Sequence, residues 1–154
     1  MEQTTFTKRK LGDLLAQLQA SPEDYLTVYL TPSSLPDCAT FLAGKPFAEE
    51  IVQSLDNEAV KREVERYGTG LVLVWSSSEI KIILLPPFPV LENKVSWGRP
   101  EVLPLQNLLQ KERTLGVVLV TWGWYAFGVF QGDGLIDYKT GTGHIHETPP
   151  KRWQ

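Results

Sequence analysis

The chain has 154 residues, which is enough for one compact domain or two small lobes with a sizeable core. Its hydrophobic fraction of 42% and its charged fraction of 21% are ordinary for a soluble globular protein. The net charge of −3 creates no global field that attracts nucleic acid or an anionic membrane. Any contact with nucleic acid would therefore require a local basic patch.

Cysteine usage and hydropathy limit the cellular setting. Cys38 is the single cysteine, which excludes an intramolecular disulfide and a multi-cysteine zinc site and suits a reducing compartment. The N-terminal residues lack the apolar core of a signal peptide. No apolar run approaches the roughly 18 residues that span a bilayer. We therefore expect a cytoplasmic protein without a membrane partner.

The N-terminal part of the chain predicts a helix followed by a buried strand. The basic triplet Lys8-Arg9-Lys10 precedes leucines at positions 11, 14, 15 and 18, and this spacing places the leucines on one helix face. The tetrapeptide at 21–24 ends the helix, and the apolar run Tyr25–Leu30 predicts a buried strand. We interpret Pro32–Asp37 as a loop.

Residues 39–66 predict a helical region in two pieces. Asp56 or Asn57 is in position to cap the second piece, because short polar side chains accept hydrogen bonds from the free N–H groups of a first turn. Gly68 and Gly70 end it.

A β-hairpin and another helix follow. The hairpin arms are Leu71–Trp75 and residues 80–85, and a Pro-rich segment at 86–89 ends the second arm because proline cannot donate a ladder hydrogen bond. Residues 90–97 are extended in pattern, and residues 101–111 predict a helix. Its predicted buried stripe consists of Leu103, Leu105, Leu108 and Leu109.

Residues 115–143 predict three short strands in succession. Residues 116–120 and 125–130 are apolar, and residues 135–139 alternate between apolar and polar. Turns are expected at 121–124 and 131–134, where the second turn contains Asp133-Gly134, a strong hairpin signal.

These patterns together predict an α+β fold. Residues 1–112 would form a mixed or antiparallel sheet with flanking helices, and residues 113–154 a three-stranded antiparallel meander with a polar tail. The two regions could share one core, because a three-stranded meander alone is marginally stable.

Motifs for catalysis or cofactor binding are scarce. His144, His146 and Glu147 have the residue types of a metal site, and two histidines at i and i+2 of a strand share a face. A third ligand is not visible, so a plain polar loop is the simpler interpretation. The sequence contains no nucleophile elbow, phosphate loop or dinucleotide fingerprint. We expect no metal and no cofactor, and we interpret Cys38 as a small apolar residue.

Basic residues near both ends are the candidates for RNA contact, since phosphate binding needs local cations. These candidates are Lys8, Arg9, Lys10, Lys139, His144, His146, Lys151 and Arg152. The simpler interpretation of the N-terminal triplet is a solvated helix end. Of the five tryptophans, Trp75 and Trp122 are expected in the core or on a sheet face. Trp153 is the best candidate for exposed base stacking.

Three stretches resemble one protein family by their order and spacing. They are LGDLLAQLQASPEDYLTVYLTP (residues 11–32), YGTGLVLVWSSSEIKIILLPPFPV (67–90) and LQNLLQKERTLGVVLVTWGWYAFGVFQGDGLIDYKTGTGHIH (105–146). They resemble the archaeo-eukaryotic class 1 peptide-chain release factors, with their relative Pelota and the bacterial branch akin to ribosome quality-control peptidyl-tRNA hydrolases. The resemblance implies a release-factor N-terminal domain over residues 1–112 and a truncated middle domain over 113–154. Residues 39–66 match least well.

The resemblance fails where the family carries its catalytic Gly-Gly-Gln loop. At that place this chain has HETPPKRWQ, in which only Gln154 is the right residue type and Pro149-Pro150 removes the glycine freedom. The chain is then either a fragment of a longer release factor or a degenerate member. The resemblance implies a non-catalytic protein of translation termination or ribosome rescue that binds the ribosome or tRNA.

Two other functions stay open. An enzyme, a peptidyl-tRNA or ester hydrolase, would use Gln154 or the pair His144 and His146, and it would need an ordered tail with a positioned base. An oligomeric structural or partner-binding protein would pair the open meander edge at residues 135–139 with a second copy.

Overall fold

The computed structural model describes residues 2–78 and 80–143. The chain divides into two compact units, Met1–Leu109 and Gln110–Gln154. Helices and antiparallel strands in the described residues form an α+β fold, as the sequence predicted. The helices are α1 (Lys8–Ala20), α2 (Cys38–Leu42), α3 (Ala48–Leu55), α4 (Glu58–Tyr67) and α5 (Leu103–Gln110). The strands are β1 (Tyr25–Leu30), β2 (Leu71–Trp75), β3 (Lys81–Leu84), β4 (Lys94–Gly98), β5 (Thr114–Thr121), β6 (Trp124–Gln131) and β7 (Gly134–Thr142).

The first unit is built on a four-stranded antiparallel sheet in the order β3-β2-β1-β4. Strand β1 lies inside this sheet and every one of its residues is buried. Val28 lies opposite Leu73 of β2 on one side and Val95 of β4 on the other. A strand buried on both faces needs a continuous apolar sequence, which explains the run YLTVYL.

Helices cover both faces of this sheet, so the unit has two hydrophobic cores. One core packs α1 and α5 against residues such as Tyr25, Tyr29 and Val72. The other packs α2 and α3 against the alternate residues, such as Leu26 and Val28. The alternation of side chains along β1 therefore divides its residues between the two cores.

The helix boundaries follow local capping chemistry. The Thr7 hydroxyl accepts a hydrogen bond from the Lys10 N–H at 3.2 Å and begins α1. The Asn57 side chain accepts from the N–H groups of Ala59 and Val60 at 2.9 and 3.4 Å and begins α4. Gly68 ends α4 with φ of +63°, which glycine adopts without a steric penalty. Of the two predicted caps, Asp56 and Asn57, it is Asn57 that caps α4.

Four sequence-based predictions in the helical parts are wrong in detail. The basic triplet forms the first turn of α1 instead of preceding it, because the cap at Thr7 starts the helix earlier. Residues 39–66 hold parts of three helices instead of two. Pro32–Asp37 is a 3₁₀ helix instead of a loop, with proline at its first position. Leu103 is 61% exposed, although Leu105 in the same helix is buried.

Strand β4 is the element that the sequence located least well. Residues 90–97 were predicted only as extended, and the structure places Lys94–Gly98 beside β1 at the sheet edge. The Asn93 side chain fixes the approach to this strand, because it accepts from the Thr31 N–H at 2.9 Å and donates to the Ser34 hydroxyl at 2.7 Å.

The second unit contains the predicted meander, with strands in the order β5-β6-β7. Both hairpins have two-residue loops, Trp122-Gly123 and Gly132-Asp133. Gly123 has φ of +83° and Gly132 has φ of +58°, so a glycine occupies the left-handed position of each loop. The strands are longer than predicted, but their order and their antiparallel pairing are confirmed.

Within the residues that the structure describes, no helix combines the length and the apolar composition that crossing a bilayer requires.

Candidate interaction surfaces

The first turn of α1 carries three consecutive cations, Lys8, Arg9 and Lys10. All three side chains are exposed. The leucine face of the helix, including Leu15 and Leu18, is buried in the core and holds the helix in place. The turn contains no acidic residue, and the ion pairs found among the described residues involve none of these three cations. The structure thus presents a compact cationic turn to solvent.

Of the other predicted nucleic-acid-binding residues, Lys139 alone lies in the part of the chain that the structure describes. Lys139 is exposed on β7, which belongs to the second unit. The predictions at His144, His146, Lys151 and Arg152 lie outside the described residues, as do those at Gln154 and Trp153. The pair His144 and His146, which was weighed against a plain polar loop as a metal site, therefore also lies outside the described residues. The described residues hold no group of three His, Cys, Asp or Glu side chains that could bind a metal ion.

An aromatic pair that the sequence patterns did not reveal lies at the sheet edge. The rings of Phe47 and Trp97 have centroids 5.9 Å apart at a tilt of 54°, and Trp97 is half-exposed. Phe47 has φ of +61°, the left-handed region that a bulky residue adopts only under constraint from its surroundings. Beside it is an open depression of about 500 Å³ lined by Gly44, Lys45, Phe47, Ala48, Glu49 and Glu50.

An ion pair borders this depression. The Lys81 ammonium donates to a carboxylate oxygen of Glu50, and this hydrogen bond lowers the pKa of the Glu50 carboxyl. The same ammonium lies 6.0 Å from the ring centroid of Trp75, which is buried. Trp75 is therefore a core residue, as the sequence predicted. The pairing favours the ionised form of the Glu50 carboxyl.

Cys38 and Tyr29 of the first unit are buried and contribute to packing and to hydrogen bonding within the fold. Cys38 is buried, and burial raises the pKa of its thiol, so the neutral thiol packs as a small apolar residue as predicted. Burial likewise raises the pKa of Tyr29 to about 12. Its hydroxyl donates to the Glu101 carbonyl oxygen and accepts from the Leu105 N–H at 3.3 Å. Both of its hydrogen bonds join β1 to the start of α5.

One face of the meander in the second unit is free of charge. Side-chain alternation and the strand register place the following residues on it: Leu115, Val117, Leu119, Thr121, Trp124, Ala126, Gly128, Phe130, Leu135, Tyr138, Thr140 and Thr142. We call this set the uncharged face. Several of its large side chains are exposed, Tyr138 at 70%. Exposed apolar surface of this extent is typical of interaction sites.

The opposite face is apolar near β5 and β6 and charged on β7. Val118 and Val120 lie beside Tyr125 and Phe127, and the rings of this aromatic pair are 5.4 Å apart. Asp137 and Lys139 of β7 complete it. Tyr125 lies over Gly141, where an added Cβ atom would come within 2.3 Å of the ring.

Trp122 occupies the tip of the first hairpin and is 87% exposed. The prediction of a core or sheet-face position for this tryptophan is wrong, because a two-residue loop points its side chain away from both strands. Trp122 is the most exposed tryptophan among the described residues, and the prediction for Trp153 lies outside them.

Two solved structures are similar to this chain over most of its length. One is an archaeal protein, at 20% identity and a TM-score of 0.46, and the other is the archaeal translation termination factor aRF1, at 19% identity and a TM-score of 0.45. They cover 93% and 92% of this chain, but the chain spans only 47% and 46% of their lengths. Both TM-scores are too low to support an argument about function. No protein-family model and no curated protein sequence matches the chain.

Proposed function

We propose that this chain is a release-factor-like protein of translation termination or ribosome rescue, and that it binds the ribosome or tRNA. The order of its sequence elements supports the proposal, since a helix, a buried strand, a hairpin with a Pro-rich exit and a meander follow one another as in that family. The observation that carries the binding part is the cationic turn at Lys8, Arg9 and Lys10.

The position of these cations is unfavourable for the isolated helix. The N-terminal end of a helix carries a partial positive charge, so each cation there costs on the order of 0.3–1 kcal/mol. Carboxylates commonly offset this cost, but the first turn of α1 has none. A bound phosphate would offset it instead, because the cations and the helix end attract the same anion. The net charge of −3 makes such binding local to this turn.

The remaining predicted contacts extend this proposal. Lys139 on β7 and the basic residues His144, His146, Lys151 and Arg152 would add phosphate contacts from the second unit and its tail. Their joint role with the α1 turn is part of the proposal. Variants of the turn alone separate its share of the binding from that of the tail.

Co-sedimentation of the purified chain with ribosomes across a salt series tests this function. We expect binding that weakens with salt, because counterions are released when cations meet phosphates. The triple variant Lys8→Ala, Arg9→Ala, Lys10→Ala should bind less tightly. Its slope of log affinity against log salt should fall by about 0.7 to 0.9 for each phosphate that the variant no longer neutralises.

A matched control removes the same amount of charge elsewhere. Lys61, Arg62 and Arg66 lie on α4, and changing all three to Ala alters the net charge by the same amount. This variant should sediment with ribosomes as the unmodified chain does. If both triple variants bind ribosomes equally weakly, the loss of binding reflects net charge and not the α1 turn. If the unmodified chain does not bind ribosomes at low salt, the proposed function is contradicted.

A further inference from the structure

The two open edges of the meander are protected to very different degrees. The edge strand β7 carries Asp137 and Lys139, and its pairing with β6 contains a register shift at Val129/Phe130. Charges and irregular register are devices that prevent an edge from pairing with another chain. The edge strand β5 has the sequence TLGVVLVT, without a charge or a proline, and its pairing with β6 is regular. Within the described unit, β5 is the unprotected edge.

The hydrogen-bond direction along β5 follows from one bond at its start. The Gly132 N–H donates to the Arg113 carbonyl oxygen at 3.0 Å, which extends the β5–β6 register by one pair. Because antiparallel residues alternate between bonding to one neighbour and the other, residues 115, 117, 119 and 121 bond to β6. Thr114, Gly116, Val118 and Val120 therefore direct their backbone N–H and C=O groups toward the open edge.

We propose that β5 pairs with β5 of a second copy of this chain, antiparallel, about a two-fold axis at Val117. The occupant is a second copy because the strand is complementary to itself. A two-fold axis perpendicular to the sheet pairs residues whose side chains point to the same face. Odd-numbered residues of β5 share one face and even-numbered residues share the other, so an odd-numbered residue must lie opposite an odd-numbered residue of the partner strand. The register centred on Val117 meets this condition.

In this register, each β5 residue whose backbone N–H and C=O groups point toward the open edge lies opposite such a residue of the second copy. Gly116 lies opposite the partner's Val118, and Thr114 lies opposite the partner's Val120. On the uncharged face, Leu115 lies opposite the partner's Leu119, a favourable apolar pair. A two-fold axis at Val118 would instead place Thr114 opposite the partner's Trp122, which belongs to the hairpin loop. The uncharged face then continues from one copy to the other.

The location differs from the sequence-based expectation, which put self-pairing at residues 135–139. The structure gives the reason for preferring β5. Residues 135–139 include the charged residues Asp137 and Lys139, and they belong to β7, whose pairing with β6 contains the register shift. The inference is independent of ribosome or tRNA binding, which rests on α1.

A charge-exchange experiment tests both the edge and the register. Sedimentation velocity of the full chain should give a dimer that dissociates on dilution. Val117→Lys and Val117→Glu should each be monomeric, because the axis brings two like charges face to face. An equimolar mixture of these two variants should form a heterodimer. Val117 is 39% exposed, so either charge is solvated in the monomer, and circular dichroism verifies the fold.

The matched control places the same charges on β7. Tyr138 lies on the same face and is more exposed, so Tyr138→Lys and Tyr138→Glu should leave the dimer intact. A monomeric unmodified chain at high micromolar concentration would overturn the proposal. So would a dimer that persists in both Val117 variants, or a mixture that stays monomeric.

Disulfide formation provides a second readout that tolerates a partial decrease in stability. A directly opposed, non-hydrogen-bonded antiparallel pair has Cα atoms about 4.5 Å apart, which suits a disulfide. Val117→Cys in a chain with Cys38→Ser should oxidise rapidly to a covalent dimer. Val120→Cys in the same chain should not, because the two copies of this residue lie at opposite ends of the paired strands. Equal oxidation of both variants would contradict the register.

Discussion

The hydroxyl of Tyr29 donates a hydrogen bond to the Glu101 carbonyl oxygen, across 72 residues of sequence. It also accepts from the Leu105 N–H, so one side chain of the central strand β1 serves two backbone groups at the start of α5. Thr27, two residues earlier on the same face, accepts from the Glu101 N–H at 3.2 Å. Helix α5 is thus attached to the sheet by polar groups as well as by its leucines.

Tyr29→Phe should destabilise the first unit by about 1–3 kcal/mol, because it leaves the Glu101 carbonyl and the Leu105 N–H without this partner in a buried place. Urea unfolding followed by circular dichroism measures the change. The matched control is Tyr67→Phe at the exposed end of α4, which should alter the free energy of unfolding by less than about 0.5 kcal/mol. Equal effects would mean that the hydrogen bonds contribute nothing measurable.

The raised pKa of the Tyr29 hydroxyl should make the free energy of unfolding depend on pH in the alkaline range. Burial raises the pKa of Tyr29 from 10.0 to about 12 in the folded state. The unfolded chain therefore releases this proton first, so the contribution to stability is complete below pH 10 and is lost as the pH rises toward 12. The free energy of unfolding of the unmodified chain should fall more steeply over this window than that of Tyr29→Phe. Parallel curves would contradict the assignment.

Gly70→Ala and Gly12→Ala should have opposite effects. At Gly70 the backbone has φ of +84°, and an added Cβ atom would lie 2.1 Å from the Leu30 carbonyl oxygen. We expect this substitution to cost at least about 2 kcal/mol, since it combines backbone strain with a steric clash. Gly12 lies on an exposed position of α1 with open space around it, so alanine there should stabilise the chain by roughly 0.5–1 kcal/mol. Thermal unfolding of the two variants checks both signs.

Leu105→Ala and Leu103→Ala test which leucines of α5 face the core. Leu105 is 2% exposed and Leu103 is 61% exposed. Truncation of Leu105 should cost about 2–5 kcal/mol, because it removes buried apolar atoms and leaves a cavity. Truncation of Leu103 should change the free energy of unfolding by about 0.5 kcal/mol or less. Both substitutions replace leucine by alanine in the same helix, so comparable destabilisation would show that Leu103 packs in the core as the sequence pattern predicted.

The sequence identified candidate functional residues that are adjacent in the chain, but it did not reveal which distant residues come into contact. The cationic turn was found because three basic residues are adjacent in the chain. The Phe47–Trp97 pair was missed because its members are fifty residues apart and become neighbours only through the edge strand β4. The exposure of Trp122 was also missed. The sequence predicted a turn at 121–124, but we assigned this large apolar side chain to the core or a sheet face although it lies in the loop of that turn.

The sequence by itself determined the features that depend only on interactions between residues close together in the chain. Alternation and turn glycines such as Gly123 and Gly132 specify the meander, because a left-handed φ and a period of two need only neighbouring residues. The cap at Asn57 and the apolar run of β1 are local in the same sense. Tertiary structure alone decided the position of β4 beside β1, the exposure of Leu103 and the bond from Tyr29 to Glu101. These depend on contacts between residues distant in the chain, whose free energy appears only when the whole sheet and its helices are packed.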